Sequence, residues 1–379
     1  MFFVHPQIKL NKVIKAGLSL VEPVDLERVA RRLSPFLPEK QFIFTDMGRT
    51  AFRLIIEKFN LQNAQILLPA YICDIFYPIF KEYNIKPIFL DIDLSTFHVQ
   101  LAEIKQKIST NIKAILICHT YGLPIDIGTI REIVGRNVII IEDCAHSFFA
   151  KKGGNYTGNF GDVSFFSLYK QFPTLRGGML ACPKDWDVKL PKTYFNFRDF
   201  ISFLNYFWPF AFFFKKFGAG YARNHLREEK MSRPSGIIKA SLSLFNDFFG
   251  DRQNSLIERK KLAMLFQEEL KKLGFEVQES ADNVFCYLSA LVPKNIRDKR
   301  DKIVQELKKY RVFCTRIWNE KYVIILNEDV QKEYQINPAD FPNTLEAAER
   351  IINFPLQNHY TEKDVKKIVV ALKKVMANL

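Results

Sequence analysis

The sequence predicts an α/β chain in which an open, largely parallel sheet wrapped by helices is followed by a smaller C-terminal α+β domain. Three observations predict it. Between Gln41 and Cys182, short apolar runs alternate with segments of helical period. Those runs are apolar almost throughout, as strands covered by helices on both faces must be. After Ser255 the rhythm changes to long helical patterns around one strand-like segment. The length of 379 residues suits two domains, or one large domain with an appendage.

In chain order, Gln65–Leu68, Pro87–Asp91, Ala114–Cys118, Val138–Glu142, Val163–Ser167 and Gly178–Cys182 read as strands. Helices fit between them over Thr50–Phe59, Ile72–Lys81, Leu101–Ile108 and Ile127–Val134, each with apolar residues at helical spacing. Residues 186–250 break the alternation with an aromatic stretch, Tyr194–Tyr221, and a basic stretch, Arg223–Lys239. A helix over Ser255–Leu273, a strand over Asn283–Leu291 and helices over Arg297–Tyr310 and Glu362–Met376 complete the chain. The expected division is residues 1–185 for the large domain, 186–250 for an insert and 251–379 for the small domain.

Composition narrows the setting. With 48% hydrophobic and 25% charged residues, disordered and fibrous classes drop out. The net charge of +14 favours anionic partners, but the basic residues are scattered and form no nucleic-acid stripe. Six cysteines without paired spacing read as free thiols of a reducing cytoplasm, and no metal-ligand spacing is present. The N-terminus lacks a signal-peptide core, and no run reaches the ~18 apolar residues of a membrane span.

In open α/β sheets ligands sit beyond the carboxyl ends of the strands. Asp143-Cys144-Ala145-His146 follows one strand, Ser167-Leu168-Tyr169-Lys170 another, and Gly48-Arg49-Thr50 opens a helix. A helix N-terminus entered through glycine suits a phosphate. A lysine in apolar surroundings, its pKa depressed, is an amine nucleophile. Together these groups match the needs of pyridoxal 5'-phosphate: a Schiff-base lysine, a carboxylate for the ring nitrogen and a phosphate cradle. Taken singly, Asp143 could be a helix cap and His146 a core histidine, and Asp162 reads as a turn-ordering residue.

The chain resembles the DegT/DnrJ/StrS sugar aminotransferases. The matching segments are Gly48–Phe52, Leu68–Tyr71, Pro87–Asp93, His119–Gly122, Ile141–Ser147, Gly158–Asp162, Phe166–Lys170 with Gly177-Gly178, and Asn353–Leu356, in that order. The resemblance implies a fold-type-I aminotransferase with a mostly parallel sheet of seven-stranded type and pyridoxal phosphate on Lys170. It implies that Asp143 pairs with the ring nitrogen, that His146 stands where the family usually has Gln, and that Ser167 with Gly48, Arg49 and Thr50 holds the phosphate. Tyr71 is the aromatic nearest the ring-stacking position, which itself aligns with Cys73. Three departures stand out: Met47 and Arg49 replace the usual Ser and Thr of the phosphate turn, the Ser-to-Lys spacing is shorter, and Arg176 replaces the Glu before Gly177-Gly178.

The substrates so implied are a nucleotide-linked keto-sugar and an amino-acid donor such as glutamate, in surface-glycan synthesis by a cytoplasmic homodimer. A relative acting on a non-sugar carbonyl, or a non-catalytic cofactor-binding scaffold, is the alternative. The aromatic segment 194–221 fits either a buried helix or an interfacial helix giving peripheral contact with the inner face of a membrane. The basic stretch Arg223–Ser235 is the candidate for reaching a neighbouring subunit's cofactor phosphate.

Overall fold

A computed structural model of the chain describes residues 1–4, 18, 25–188, 192–194, 204, 207, 209–212 and 234–379. Seven strands form the central sheet: β1 (Lys40–Thr45), β2 (Gln65–Pro69), β3 (Lys86–Leu90), β4 (Ile112–Cys118), β5 (Ile139–Asp143), β6 (Val163–Ser167) and β7 (Gly178–Pro183). Their order across the sheet is β1-β7-β6-β5-β4-β2-β3. Every pairing from β3 through β6 is parallel, and β7 runs antiparallel between β6 and β1. Strands β5 and β6 are buried at nearly every position, as their unbroken apolar content requires.

Helix α1 (Gly48–Lys58) leaves the end of β1 and lays Phe52, Ile55 and Ile56 against the sheet. The opposite face is covered in part by α2 (Lys239–Asn254), whose Phe245 and Phe249 join Phe148, Phe166 and Phe172 in a second apolar cluster. Helix α3 (Leu256–Lys272) follows after a break at Ser255. With α4 (Arg300–Leu307) and α5 (Glu362–Met376) it covers a three-stranded antiparallel sheet of β8 (Glu276–Val277), β9 (Leu288–Leu291) and β10 (Ile351–Phe354). Leu262, Phe266, Ile303, Phe354, Ile368 and Leu372 form that core.

The sequence-based boundaries need four corrections. The helix expected over Ile72–Lys81 begins only at Tyr77, because Cys73 and Asp74 pair instead with the 322–323 segment. The end of the expected insert, from Lys239, is helix α2, whose apolar residues are nearly all buried. The Asn283–Leu291 strand is paired only from Leu288, since Val284 donates to the carbonyl of Gly122. The helix expected over Arg297–Tyr310 is α-helical only over Arg300–Leu307, with a non-helical Ile296 before it.

Within the aromatic segment, Phe207 packs with Leu175, Leu244 and Phe248, and Ala211 and Phe212 pack with Phe3 and Phe313. The remainder of 194–221, apart from Tyr194, Leu204, Pro209 and Phe210, and residues 223–233 of the basic stretch lie outside the described residues. No helix among the described residues is long and apolar enough to cross a membrane.

Candidate active site

Strands β5 and β6 end side by side, and the chain beyond each supplies one half of a polar pocket. Asp143 is the last residue of β5, and its Oδ1 accepts the N–H of Ala145 at 2.9 Å. Lys170 closes the short 3-10 turn after β6, and its Nζ lies 3.1 Å from Nε2 of His146. Burial raises the Asp143 carboxyl above its ordinary value, against the pull of the Lys170 charge. Burial works against the Lys170 ammonium, but Tyr169 and Asp143 outweigh it and leave the amine above the ordinary lysine range. The depressed pKa expected from apolar surroundings is therefore corrected: Tyr169, with Asp143 behind it, outweighs the burial.

His146 is buried, and that burial, followed by the Lys170 charge, holds its imidazole well below the usual histidine value. Nδ1 accepts the backbone N–H of Tyr121 at 3.3 Å, so in the neutral ring Nε2 carries the proton and can donate to the Lys170 nitrogen once that amine has given up its own extra proton. The ring is packed by Tyr121, by Trp318 with centroids 5.0 Å apart, and by the edge of Tyr287. Tyr121 and Trp318 both have positive φ, 58° and 61°, which costs strain for bulky residues and persists because the surroundings over-determine it. Gly122 next to Tyr121 cannot carry a side chain, since a Cβ there would lie 2.9 Å from the Cys286 nitrogen.

The phosphate-turn residues also converge. Gly48, Arg49 and Thr50 start α1 at the end of β1; the Thr50 N–H turns back onto the Met47 carbonyl at 3.0 Å, and the positive end of the helix lies at Gly48. Gly178 of β7 packs directly under this turn: a Cβ on it would meet the Met47 carbonyl carbon at 2.2 Å and the Gly48 nitrogen at 2.4 Å. The Thr50 hydroxyl donates to Asp46 Oδ1 at 2.6 Å, and Arg176 donates to Asp46 Oδ2 at 3.0 Å. Burial raises the Asp46 carboxyl, opposed by Thr50, Arg176 and Arg49. Arg176, which breaks the family pattern in sequence, thus has a defined partner at the turn. Ser167 is buried at the end of β6, and its hydroxyl has no hydrogen-bond partner among the described residues. Ser235 accepts the Asp46 N–H through its carbonyl at 2.8 Å, so this end of the basic stretch touches the turn of its own chain.

Tyr71 is the exception among the expected site residues. It has 0% exposure, its ring packs on Phe97 and Trp318, and its hydroxyl lies 2.8 Å from that of Tyr121. Tyr121 spends its own proton on the Ile317 carbonyl, so Tyr71 donates to Tyr121. Tyr71 belongs to the aromatic wall behind His146 and not to the pocket surface.

Sequence reasoning missed Gln171 and Arg252. Both are buried, and the guanidinium donates to Gln171 Oε1 at 3.0 Å. The signal was the position of Gln171 beside Lys170; Arg252 lies 81 residues further on and had none. Trp318 packs on His146. Arg316 pairs with Asp301.

His119, Glu142 and Cys144 offer ligand atoms within 4.8 Å of one another. Glu142 is already spent: its two oxygens accept from Gly158, Phe160 and Gly161 N–H groups at 2.6–2.8 Å and from His119 Nε2 at 3.0 Å. Asp162 accepts the Ile140 N–H at 2.7 Å and pairs with Arg131, ordering the turn as expected.

An amine, a carboxylate, a ring N–H and a helix N-terminus in one recess fit pyridoxal phosphate. Gly178 keeps the phosphate turn close to the sheet, and Lys170 and Asp143 lie near enough to shift each other's ionisation.

Known proteins agree with the geometry. The sequence model of the "DegT/DnrJ/EryC1/StrS aminotransferase family" matches residues 11–195 and 251–373. A GDP-perosamine synthase of Escherichia coli O157:H7 is 44% identical over 104 residues, 27% of this chain and 29% of that protein. The match thus spans under a third of that curated relative's length. A dTDP-4-amino-4,6-dideoxy-D-glucose transaminase of Shigella dysenteriae is 22% identical over 92% of this chain and 89% of its own. Among solved structures, a putative sugar aminotransferase of Streptococcus pneumoniae in its PMP form superposes with a TM-score of 0.75 at 16% identity, covering 100% of this chain and 99% of that one.

Proposed function

This chain belongs to the DegT/DnrJ/EryC1/StrS family of pyridoxal-phosphate-dependent aminotransferases, and on that premise we propose that it aminates the ketone of a nucleotide-linked keto-sugar. Glutamate is the proposed amino donor and surface-glycan synthesis the proposed setting. The observation that carries this reading is the meeting of Lys170, Asp143 and His146 in one buried recess beside the Gly48 turn. The names of the relatives above, which act on GDP- and dTDP-linked sugars, support the substrate class.

When bound, the cofactor supplies the electron sink that makes the carbon–hydrogen bond beside the amine acidic. The chain's own residues do the rest. Lys170 would hold the cofactor through Nζ, and the same Nζ would carry the proton that the reaction moves. Asp143, its carboxyl raised by burial, would take the ring nitrogen as its partner, and a cation there would favour the ionised carboxylate. His146 presents its Nε2 proton to the recess, fixed in that tautomer by Tyr121. The N-terminus of α1 at Gly48 would hold the phosphate, and the wall of Tyr121, Tyr287 and Trp318 excludes water.

The family also contains dehydratases, such as the GDP-4-keto-6-deoxy-D-mannose 3-dehydratase of Escherichia coli O55:H7, 28% identical over 152 residues. The lysine kept at position 170 supports transamination, because a dehydratase of this family is expected to replace it. The enzyme is proposed to be a homodimer with its active sites near the interface, which sedimentation will test. The packing of Phe207, Ala211 and Phe212 supports a buried role for the aromatic segment, and flotation with anionic vesicles tests membrane contact through the remainder.

The deciding experiment is borohydride reduction of the purified yellow protein followed by peptide mapping. The phosphopyridoxyl label should sit on Lys170, L-glutamate should bleach the colour, and one keto-sugar of a panel should restore it. A holo preparation labelled elsewhere ends the reading.

A further inference from the structure

Two guanidiniums lie buried beside the lysine pocket, and they differ in how their donors are used. Arg259 of α3 is saturated. It donates to the carbonyls of Phe285, Cys286 and Leu356 at 2.6–3.2 Å and approaches Asn358 Oδ1 at 3.4 Å. Arg252 of α2 is not. Its Nη1 donates to Asn358 Oδ1 and its Nη2 to Gln171 Oε1, each at 3.0 Å, while its buried Nε has no partner. The Gln171 Nε2 is likewise buried without a partner. Arg252 and Gln171 are only 4% and 7% exposed.

Neither guanidinium meets a carboxylate among the described residues. Burial presses on both: Arg252 is pushed down by burial to about 10, still charged at neutral pH, and Arg259 is lowered by burial and then by the Arg252 charge. A buried cation held only by neutral amides is costly unless an anion completes it. The place for that anion is beside the reacting centre. Gln171 adjoins Lys170, and the Cys286 thiol lies within the fields of Arg252, Lys170 and Arg259 together.

The open edge has a shape. Nε and Nη2 are the side of a guanidinium that grips both oxygens of a carboxylate, and Nη2 has spent one of its two hydrogens. A planar carboxylate suits this side-on fork, and the reaction already requires one ligand that carries it. We propose that Arg252, with the amide of Gln171, anchors a carboxylate of the amino-acid donor beside Lys170. This rests on the transaminase reading in taking the donor as the ligand.

The test uses glutarate, which has both carboxylates of glutamate but no amine, and the full-length protein freed of cofactor. Calorimetry should show that wild type binds glutarate and ignores glutaramide. Arg252→Gln should weaken glutarate by about 10- to 100-fold, and Arg252→Lys should restore part of the loss. Gln171→Glu supplies the missing anion from within, so it should abolish glutarate binding while raising the melting temperature, an effect that cannot come from misfolding. In the holoenzyme, Arg252→Gln should raise KM for glutamate and leave the keto-sugar half-reaction, started from the pyridoxamine form, within about 3-fold. Wild type that ignores glutarate, or an Arg252→Gln protein that binds it equally, overturns the anchor. So does an equal loss in both half-reactions. Should glutarate fail while Lys170 takes the borohydride label, the anchor falls and the transaminase stands. If glutarate binds and no label forms, the transaminase reading fails separately.

Discussion

Glu142 and Asp143 are neighbours on one strand, both fully buried carboxylates, and their surroundings are opposites. Glu142 accepts from three backbone N–H groups and from His119. Asp143 accepts one backbone N–H and faces Lys170 across the recess. Because strand residues alternate between faces, one carboxylate closes the loop of residues 158–161 while the next points to chemistry. The difference teaches that saturation of hydrogen bonds, more than burial or charge, separates a structural acid from a working one.

Four substitutions break or sharpen that contrast. Lys170→Ala removes the group that carries the cofactor and the proton, and should cost on the order of 10³-fold or more in turnover, read by single-turnover absorbance with glutamate. Asp143→Asn should cost roughly 10²-fold in the same half-reaction. The pH dependence of the cofactor-free fold adds a second reading. Its raised carboxyl keeps a proton that the unfolded chain has already released, so stability should fall as pH rises through the carboxylate range. Asparagine should erase that slope, as denaturant melts at several pH values will show.

Glu142→Gln should do the reverse, sparing the chemistry while costing about 2–3 kcal/mol of stability, because an amide N–H₂ is then set against backbone donors. If its melts match wild type, saturation is not what holds the 158–161 loop. His146→Gln is the smallest change expected, within about 5-fold in kcat, since glutamine also offers an N–H. The histidine is held neutral well below its usual range, so wild type and variant should share one pH–rate profile near pH 6. A limb present only in wild type would show that His146 titrates during turnover.

The fold was largely legible because parallel strands advertise themselves: the Ile- and Leu-rich runs at 112–118 and 139–143 are too short for helices and mostly apolar. That Asp143, His146 and Lys170 would come together was legible because each lies at or just beyond the end of one of two adjacent strands. Helix α2 was not, since its apolar residues follow a stretch whose basic and aromatic content masked the start of a helical period. The inward packing of Tyr71 was not legible, because an aromatic next to a matched motif carries no sign of which way it faces, and here its hydroxyl meets that of Tyr121. Arg252 was hidden for a physical reason too: a partner 81 residues away leaves no local pattern.

Strand β1 has a single neighbour in the sheet, β7, whose Gly178 pairs with Thr45 and whose Pro183 pairs with Lys40. During synthesis the five parallel strands are complete once Ser167 has emerged, yet β1 has nothing to pair with until Pro183 follows. Closing so long a loop is slow compared with local pairing. The Gly48 turn, wedged on Gly178, is therefore among the last parts of the large sheet to be assembled. Until residue 178 is present the Gly48 turn lacks the backbone it packs on, so the seat for a phosphate is finished after the strands that carry Asp143 and lead to Lys170 have been made.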